Sequence, residues 1–285
     1  MQPVAIVPHD APVTNTELAL VASAIQIQVM RDLGPAWGIQ ATCSAFPSLD
    51  DVPGGYAIVF VTADANGQAG LHFRPTQPGE PPFALVTYSP NLQWSTAASH
   101  EVLELLIDPL GNRFANGPHV LRPGVDVAYL AEVCDPVQDA SFAYQVDHQH
   151  PVLVSDFCLP SFYAAGAQST AYSFRRSVFA PFTVAEGGYL SWREGDGRWF
   201  QLRAFGGPVS VVGPMNEQDV MGATEEPTNF RGWLDRLEQQ YAGPAALSVS
   251  VSRSEKRYGT IRKRSASARD RRNKLLKSYL TTLLK

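Results

Sequence analysis

Ser99-His100-Glu101-Val102-Leu103-Glu104 lies inside a run from Trp94 to Asp108 whose apolar spacing predicts a helix, opened near Ser95 or Thr96 and closed by Pro109-Leu110-Gly111-Asn112. At about 3.6 residues per turn, positions four apart are neighbours on one face, so His100 and Glu104 can direct an imidazole and a carboxylate at one metal ion. Glu101 stands about 100° round the helix, beside such an ion but outside its ligand set, where a general base for an activated water must stand. Val102, Leu103, Leu106 and Ile107 fall on the opposite side and can pack against a sheet. The ordinary alternative is that the acidic face simply meets water, as the charged face of an amphipathic helix usually does.

Upstream, Thr14-Asn15-Thr16-Glu17 has the capping-box pattern, and apolar residues from Leu18 to Met30 carry a helix to about Leu33, where Gly34-Pro35 is expected to end it. Three extended stretches follow, Gly38 to Phe46, Tyr56 to Thr62 and Phe83 to Tyr88, rich in β-branched or aromatic residues and bounded by Gly/Pro clusters. Beyond the central helix, a Pro/Gly-rich loop is expected to about Val125, then a short segment from Val127 to Cys134. Phe142 to Val146 and Val152 to Phe157 predict a hairpin around Asp147-His148-Gln149-His150, and Gly188 to Arg193 with Arg198 to Ala204 predict a further strand pair. Phe230 to Tyr241 reads as a last short helix. This order predicts an α+β or α/β domain over residues 1–243, with a mixed sheet, the helix at about 94–108 and a β-rich part at about 140–205. A basic tail follows over residues 244–285.

With 285 residues, 45% of them hydrophobic, the chain can bury a sizeable core. Its formal charge of -4 conceals an uneven distribution: from Arg253 onward twelve Lys/Arg stand against two acids, which leaves about -14 for the rest. The tail has few large apolar groups before Leu275 and is expected to be mobile. Its basic clusters, Arg262-Lys263-Arg264 and Arg269-Asp270-Arg271-Arg272, suit an anionic partner, although Tyr258 and Tyr279 offer little base stacking. Leu275, Leu276, Leu280, Leu283 and Leu284 could form a short amphipathic helix for a partner. No apolar run approaches the roughly 18 residues of a membrane span, and Met1-Gln2-Pro3-Val4 lacks the start of a signal peptide, so a cytoplasmic location is the default expectation. Cys43, Cys134 and Cys158, odd in number and without CxxC spacing, argue against a disulfide framework or a thiolate zinc site and for small buried hydrophobes. No G-x-S-x-G elbow, P-loop or dinucleotide fingerprint occurs, which removes the usual support for serine hydrolase, NTPase and Rossmann readings.

A third metal ligand must come from elsewhere in the chain. Glu132, in the otherwise apolar Val127-Ala128-Tyr129-Leu130-Ala131-Glu132-Val133-Cys134-Asp135-Pro136, is the first choice, because a carboxylate in apolar surroundings asks for a cation. Asp108, Asp135 and His119 compete, with Asp108 or Asp135 alternatively orienting a ligand. His148 and His150 could share a second metal or simply be exposed at the hairpin tip. His72, in Gly70-Leu71-His72-Phe73, is expected to pack or to hydrogen-bond at the surface.

The spacing His100-Glu101-x-x-Glu104 resembles the HExxH helix of zinc metallopeptidases with the second His replaced by Glu. Such a site still suits zinc, but its added anionic charge weakens Lewis acidity and lets another divalent cation compete. A wider resemblance is carried by the run from Gln26 to Gly38, by Ser99 to Glu104 with Asp108-Pro109, by Ala131 to Pro136, and by Val154-Ser155-Asp156-Phe157 with Pro160. These segments resemble a zincin-like family of uncharacterised bacterial and phage-associated proteins bearing HExxE followed by Asp-Pro, over roughly residues 12–205. The resemblance implies a zincin-like fold, His100 and Glu104 as metal ligands, Glu101 as base, and Glu132 or Asp135 as the remaining ligand. The expected function is zinc-dependent hydrolysis of a peptide or protein aligned along an edge strand. The alternative is a non-catalytic protein on the same scaffold, with a structural ion or none, binding a partner through its tail or hairpins.

Overall fold

A computed structural model describes residues 2–65, 67–73, 81–147, 149–150, 152–215 and 276–277. In chain order these form β1 (Gln2–Pro8), α1 (Asn15–Gln28), a π turn (Val29–Leu33), α2 (Gly34–Trp37), β2 (Ala41–Ala45), β3 (Ala57–Thr62), β4 (Gly70–Phe73), β5 (Phe83–Thr87) and α3 (Ser95–Ile107). The second half contributes β6 (Phe114–Pro118), β7 (Asp126–Leu130), β8 (Tyr144–Gln145), β9 (Leu153–Val154), β10 (Tyr189–Arg193), β11 (Trp199–Arg203) and β12 (Ser210–Met215).

The first sheet has the order β2-β1-β3-β5-β4. Its first four strands run parallel, and β4 closes the edge antiparallel to β5. Parallel strands covered on both faces read as unbroken apolar runs, and Val4 to Val7 and Ile58 to Val61 are such runs, all buried. Alternation then sorts the side chains. Val4, Ile6, Val59, Val61, Ala84 and Val86 meet α1 and α3, whereas Ala5, Val7, Ile58, Phe60, Leu85 and Phe83 face the other way. On β4 the same alternation sends Leu71 and Phe73 to the outer face and leaves Gly70 and His72 toward α3; His72 pairs with Ala84, an α3-side residue. The second sheet is antiparallel throughout, in the order β12-β11-β10-β7-β6. The chain therefore has the mixed α and β content and the mixed sheet expected of it, and no helix among the described residues is long and apolar enough to cross a membrane.

Several expectations change in detail. The capping box at Thr14 forms, with its hydroxyl accepting from the Glu17 N–H and the Glu17 carboxylate accepting from the Thr14 N–H. Gly34-Pro35 does not end the helical run. The wider π turn places Pro35 in the first turn of α2, where a missing N–H costs nothing, and the run stops at Gly38 with φ 66° instead. β1 contains Pro3 and Pro8 near its ends and is an interior strand of its sheet, between β2 and β3. Phe114 to Pro118 is a strand rather than loop; it stands at a sheet edge, where Pro118 need not donate to a ladder. The hairpin around residues 147–150 pairs only Tyr144 with Val154 and Gln145 with Leu153.

The expected helix from Phe230 to Tyr241 and nearly all of the basic tail lie outside the described residues. Two tail residues are described. Leu276 is fully buried in the apolar cluster on the outer face of the first sheet, and Lys277 Nζ lies 2.9 Å from Asp50 Oδ2.

Candidate metal centre

α3 packs on β4 and β5 and is buried continuously from Ala98 to Ile107. The acidic face that could have met water is enclosed as well: Glu101 is 1% exposed, Glu104 0%, Asp108 1% and His100 8%. Two pieces of chain enclose it. β4 brings His72 against the helix, and the segment that leaves β7 brings Glu132, Cys134 and Asp135.

The donor atoms converge. His100 Nε2 lies 3.1 Å from Glu104 Oε2 and 3.3 Å from Asp135 Oδ1. Neither contact has the angles of a hydrogen bond, so this buried nitrogen points into the cluster without one. His72 Nδ1 lies 3.3 Å from Glu101 Oε2 and 3.6 Å from Glu104 Oε2, and its Nε2 lies 3.7 Å from Glu132 Oε1. Two sets of potential ligands result, His100 with Glu104 and Cys134, and His72 with Glu104 and Glu132, the atoms of each set lying within 4.8 Å of one another. Burial by itself lowers the basicity of His100, but Glu104, Asp135 and Glu101 outweigh it and raise its pKa well above the ordinary imidazole value. Burial and the Glu104 charge push the Cys134 thiol well up, which keeps it protonated in the protein alone.

The candidate ligand side chains are held from behind. The Cys134 N–H donates to Glu104 Oε1 at 3.2 Å, which fixes the carboxylate so that Oε2 faces the two rings. Next to His100, Ser99 Oγ donates to Gln28 Oε1 at 2.8 Å and accepts from the Ser155 N–H at 2.9 Å, while Gln28 Nε2 donates to the Ser155 carbonyl at 2.8 Å. This buried network sets α3 against α1 and the strand of Val154, and with it the height of His100. Gln28→Ala removes an acceptor and a donor at once; a loss of about 2–3 kcal/mol in urea unfolding is expected.

Gly70 belongs to the same construction. A methyl group there would sit 2.5 Å from Glu101 Oε1, so only glycine lets the β4 backbone approach that carboxylate. Gly70→Ala is expected to cost about 1–3 kcal/mol by overcrowding. Adding Glu101→Ala should recover part of that loss, which a double-mutant cycle in urea would read.

Of the residues singled out from sequence, His100, Glu101, Glu104, Glu132 and Asp135 are brought together. Asp108 lies at the end of α3, where Oδ1 and Oδ2 accept the N–H groups of Asn112 and Arg113 at 2.9 and 2.8 Å; it ties the following turn rather than reaching into the centre. Burial raises its carboxyl pKa against those bonds. His119 is elsewhere: it directly follows β6 of the second sheet, 3.2 Å from Glu194 and edge-on to Trp192. His150 pairs with Asp147 at 2.9 Å, and His148 lies outside the described residues. His72 is 0% exposed, so it packs in the interior as one of the two expected roles had it, not at the surface, and it also faces three of the carboxylates. Its signal was present in the alternation of Leu71, His72 and Phe73, but a four-residue strand running into Arg74-Pro75 gives that alternation little length to register. Cys134, expected to be only a small buried hydrophobe, is buried as expected and also supplies its amide to Glu104.

No protein-family model, curated protein or solved structure matches this chain. The centre therefore stands on its own geometry.

Proposed function

We propose that the protein is a metal-dependent hydrolase whose centre is built on α3, with peptides as its substrate class. The observation that carries this reading is the convergence of His100 Nε2, Glu104 Oε2 and Asp135 Oδ1 at 3.1 and 3.3 Å without hydrogen-bond geometry at the imidazole. Zinc with nitrogen and oxygen ligands at about 2.0–2.2 Å places neighbouring donors about 3.3–3.5 Å apart, so the residues present fit such an ion with small movements. The extra carboxylates suit manganese or another hard divalent cation as well.

A divalent ion here supplies Lewis acidity, lowering the pKa of a water and polarising a carbonyl. The chain's own part is to hold and orient. His100, Glu104 and Asp135 or Glu132 supply ligand atoms, and the Cys134 N–H keeps Glu104 aimed. Glu101, on the same buried face with His72 beside it, is the group that would take a proton from the attacking water. β4 stands at the edge of its sheet and packs on α3, the helix that carries Glu101, so its free edge is where a peptide would be added. The zincin-like resemblance of the helix agrees with this assignment of roles.

A second reading, a closed metal centre that serves structure alone, is favoured by the enclosure of the donors, none of which is more than 8% exposed. Glu101→Gln separates the two. For a hydrolase, the variant should keep its metal and lose about 10²–10⁴-fold in peptide-library turnover followed by mass spectrometry. A wild-type protein that binds metal stoichiometrically yet cleaves nothing would support the structural centre.

A further inference from the structure

We propose that the centre is dinuclear, with the Glu104 carboxylate shared between one divalent cation at His100 and Asp135 and a second at His72 and Glu132. The inference rests on the metal-binding reading above and concerns how many ions the same side chains hold.

Glu104 belongs to both sets of potential ligands, and the two imidazoles reach it from different elements. His100 comes from the preceding turn of α3 and His72 from β4, and both direct a nitrogen at the same oxygen, Oε2, at 3.1 and 3.6 Å. One tetrahedral ion takes four ligands, and structural zinc sites close at that number. Here two histidines and four carboxylates are gathered, more donors than one such ion takes. They also divide. Asp135 Oδ1 lies 3.3 Å from His100 Nε2, whereas Glu132 Oε1 lies 3.7 Å from His72 Nε2, the ring nitrogen other than the Nδ1 that approaches Glu104, and one ligand atom each from His72, Glu104 and Glu132 lie within 4.8 Å of one another.

The identity of residue 104 fits this division. A neutral imidazole offers one lone pair and serves one metal, while a carboxylate oxygen can serve two, and paired ions in hydrolytic sites stand about 3.5–4 Å apart. Glutamate in place of the second histidine, which makes a single zinc site more anionic and a weaker Lewis acid, is the substitution a shared ligand requires. His100 Nε2, buried and aimed into the cluster without a hydrogen bond, marks the first position independently of the acidic residues.

The test uses the full chain, purified, loaded with Mn(II) and dialysed, with metal per chain measured by elemental mass spectrometry and the spin state by EPR. Two equivalents with an exchange-coupled manganese spectrum are expected. His72→Ala should hold one equivalent with an uncoupled six-line spectrum, and Glu104→His should do the same. If either variant fails to fold, the wild-type stoichiometry and spectrum still decide. Saturation at one equivalent with an uncoupled spectrum would overturn the dinuclear centre while leaving metal binding intact; no bound metal would remove both.

Discussion

Glu104→Ala is expected to release essentially all bound metal and to abolish the thermal stabilisation that added zinc or manganese gives the wild type. Both imidazoles approach Glu104 Oε2, so no other single substitution takes a ligand from both sets. The wild type should gain about 4 kcal/mol from an ion present at a thousandfold excess over its dissociation constant. Alanine also leaves the Cys134 N–H without its acceptor, so part of any loss of stability, about 1–3 kcal/mol, belongs to the protein without metal. Glu104→Gln separates the contributions. Its amide oxygen can still accept from Cys134, yet it is neutral and a poor metal ligand; in chelator it should lose less stability than Glu104→Ala, giving up only the charge interaction with His100, while the metal-dependent gain disappears. Wild-type metal content in Glu104→Ala would show that α3 does not carry the centre.

Asp156→Ala should cause a large loss of stability away from the metal ligands. Asp156 is 1% exposed, and its Oδ1 accepts from the N–H groups of Phe157 and Arg175 at 2.8 and 2.9 Å while Oδ2 accepts from Ser177 Oγ at 2.7 Å. One carboxylate thus pins the loop at residues 173–177 to the strand that carries Ser155 of the His100 support. Removing it strands one buried donor, the Phe157 N–H, and two part-buried ones, at an expected cost of about 2–3 kcal/mol in urea. Asp156→Asn keeps Oδ1 as acceptor for both amides and should cost about 1 kcal/mol or less. The pair also differs in pH dependence. Burial raises the Asp156 carboxyl pKa above its ordinary value of 3.8 despite those bonds, so the folded state holds the proton more tightly than the unfolded one. Its contribution to stability is therefore full below the ordinary value and declines as pH rises toward the raised one. Asn cannot titrate, so the difference in stability between wild type and Asp156→Asn should move in favour of Asn as pH rises through that window.

The central helix was legible because its evidence was local: His100, Glu101 and Glu104 fall on one buried stripe simply by helical spacing. Glu132 and Asp135 were legible for a different reason, as acids set among apolar residues. What the sequence did not reveal depends on tertiary pairing. His72 acquires its place because β4 turns antiparallel at the sheet edge, a fact of strand order that no window of residues around it contains. His119 competed with Asp108 and Asp135 behind Glu132 as a third ligand, and the end of β6 places it beside Glu194 instead. β6 was hidden by proline, which signals loops on average but is tolerated at a sheet edge, and β1 by Pro3 and Pro8, which stand near its ends and each pair with one neighbouring strand only. Gly34-Pro35 misled in the same way, since a π turn can carry a proline that an α turn would reject.

The donors also divide along the time axis of synthesis. His72, His100, Glu101 and Glu104 belong to the first 104 residues together with every strand of the first sheet, whereas Glu132 and Asp135 follow only after β6 and β7. At translation rates of about 5–20 residues per second, a nascent chain carries half of the centre for seconds before the other half leaves the ribosome. On the proposed metal-binding reading, uptake of the ion would be a late event in biogenesis, one that records that both halves of the polypeptide have met.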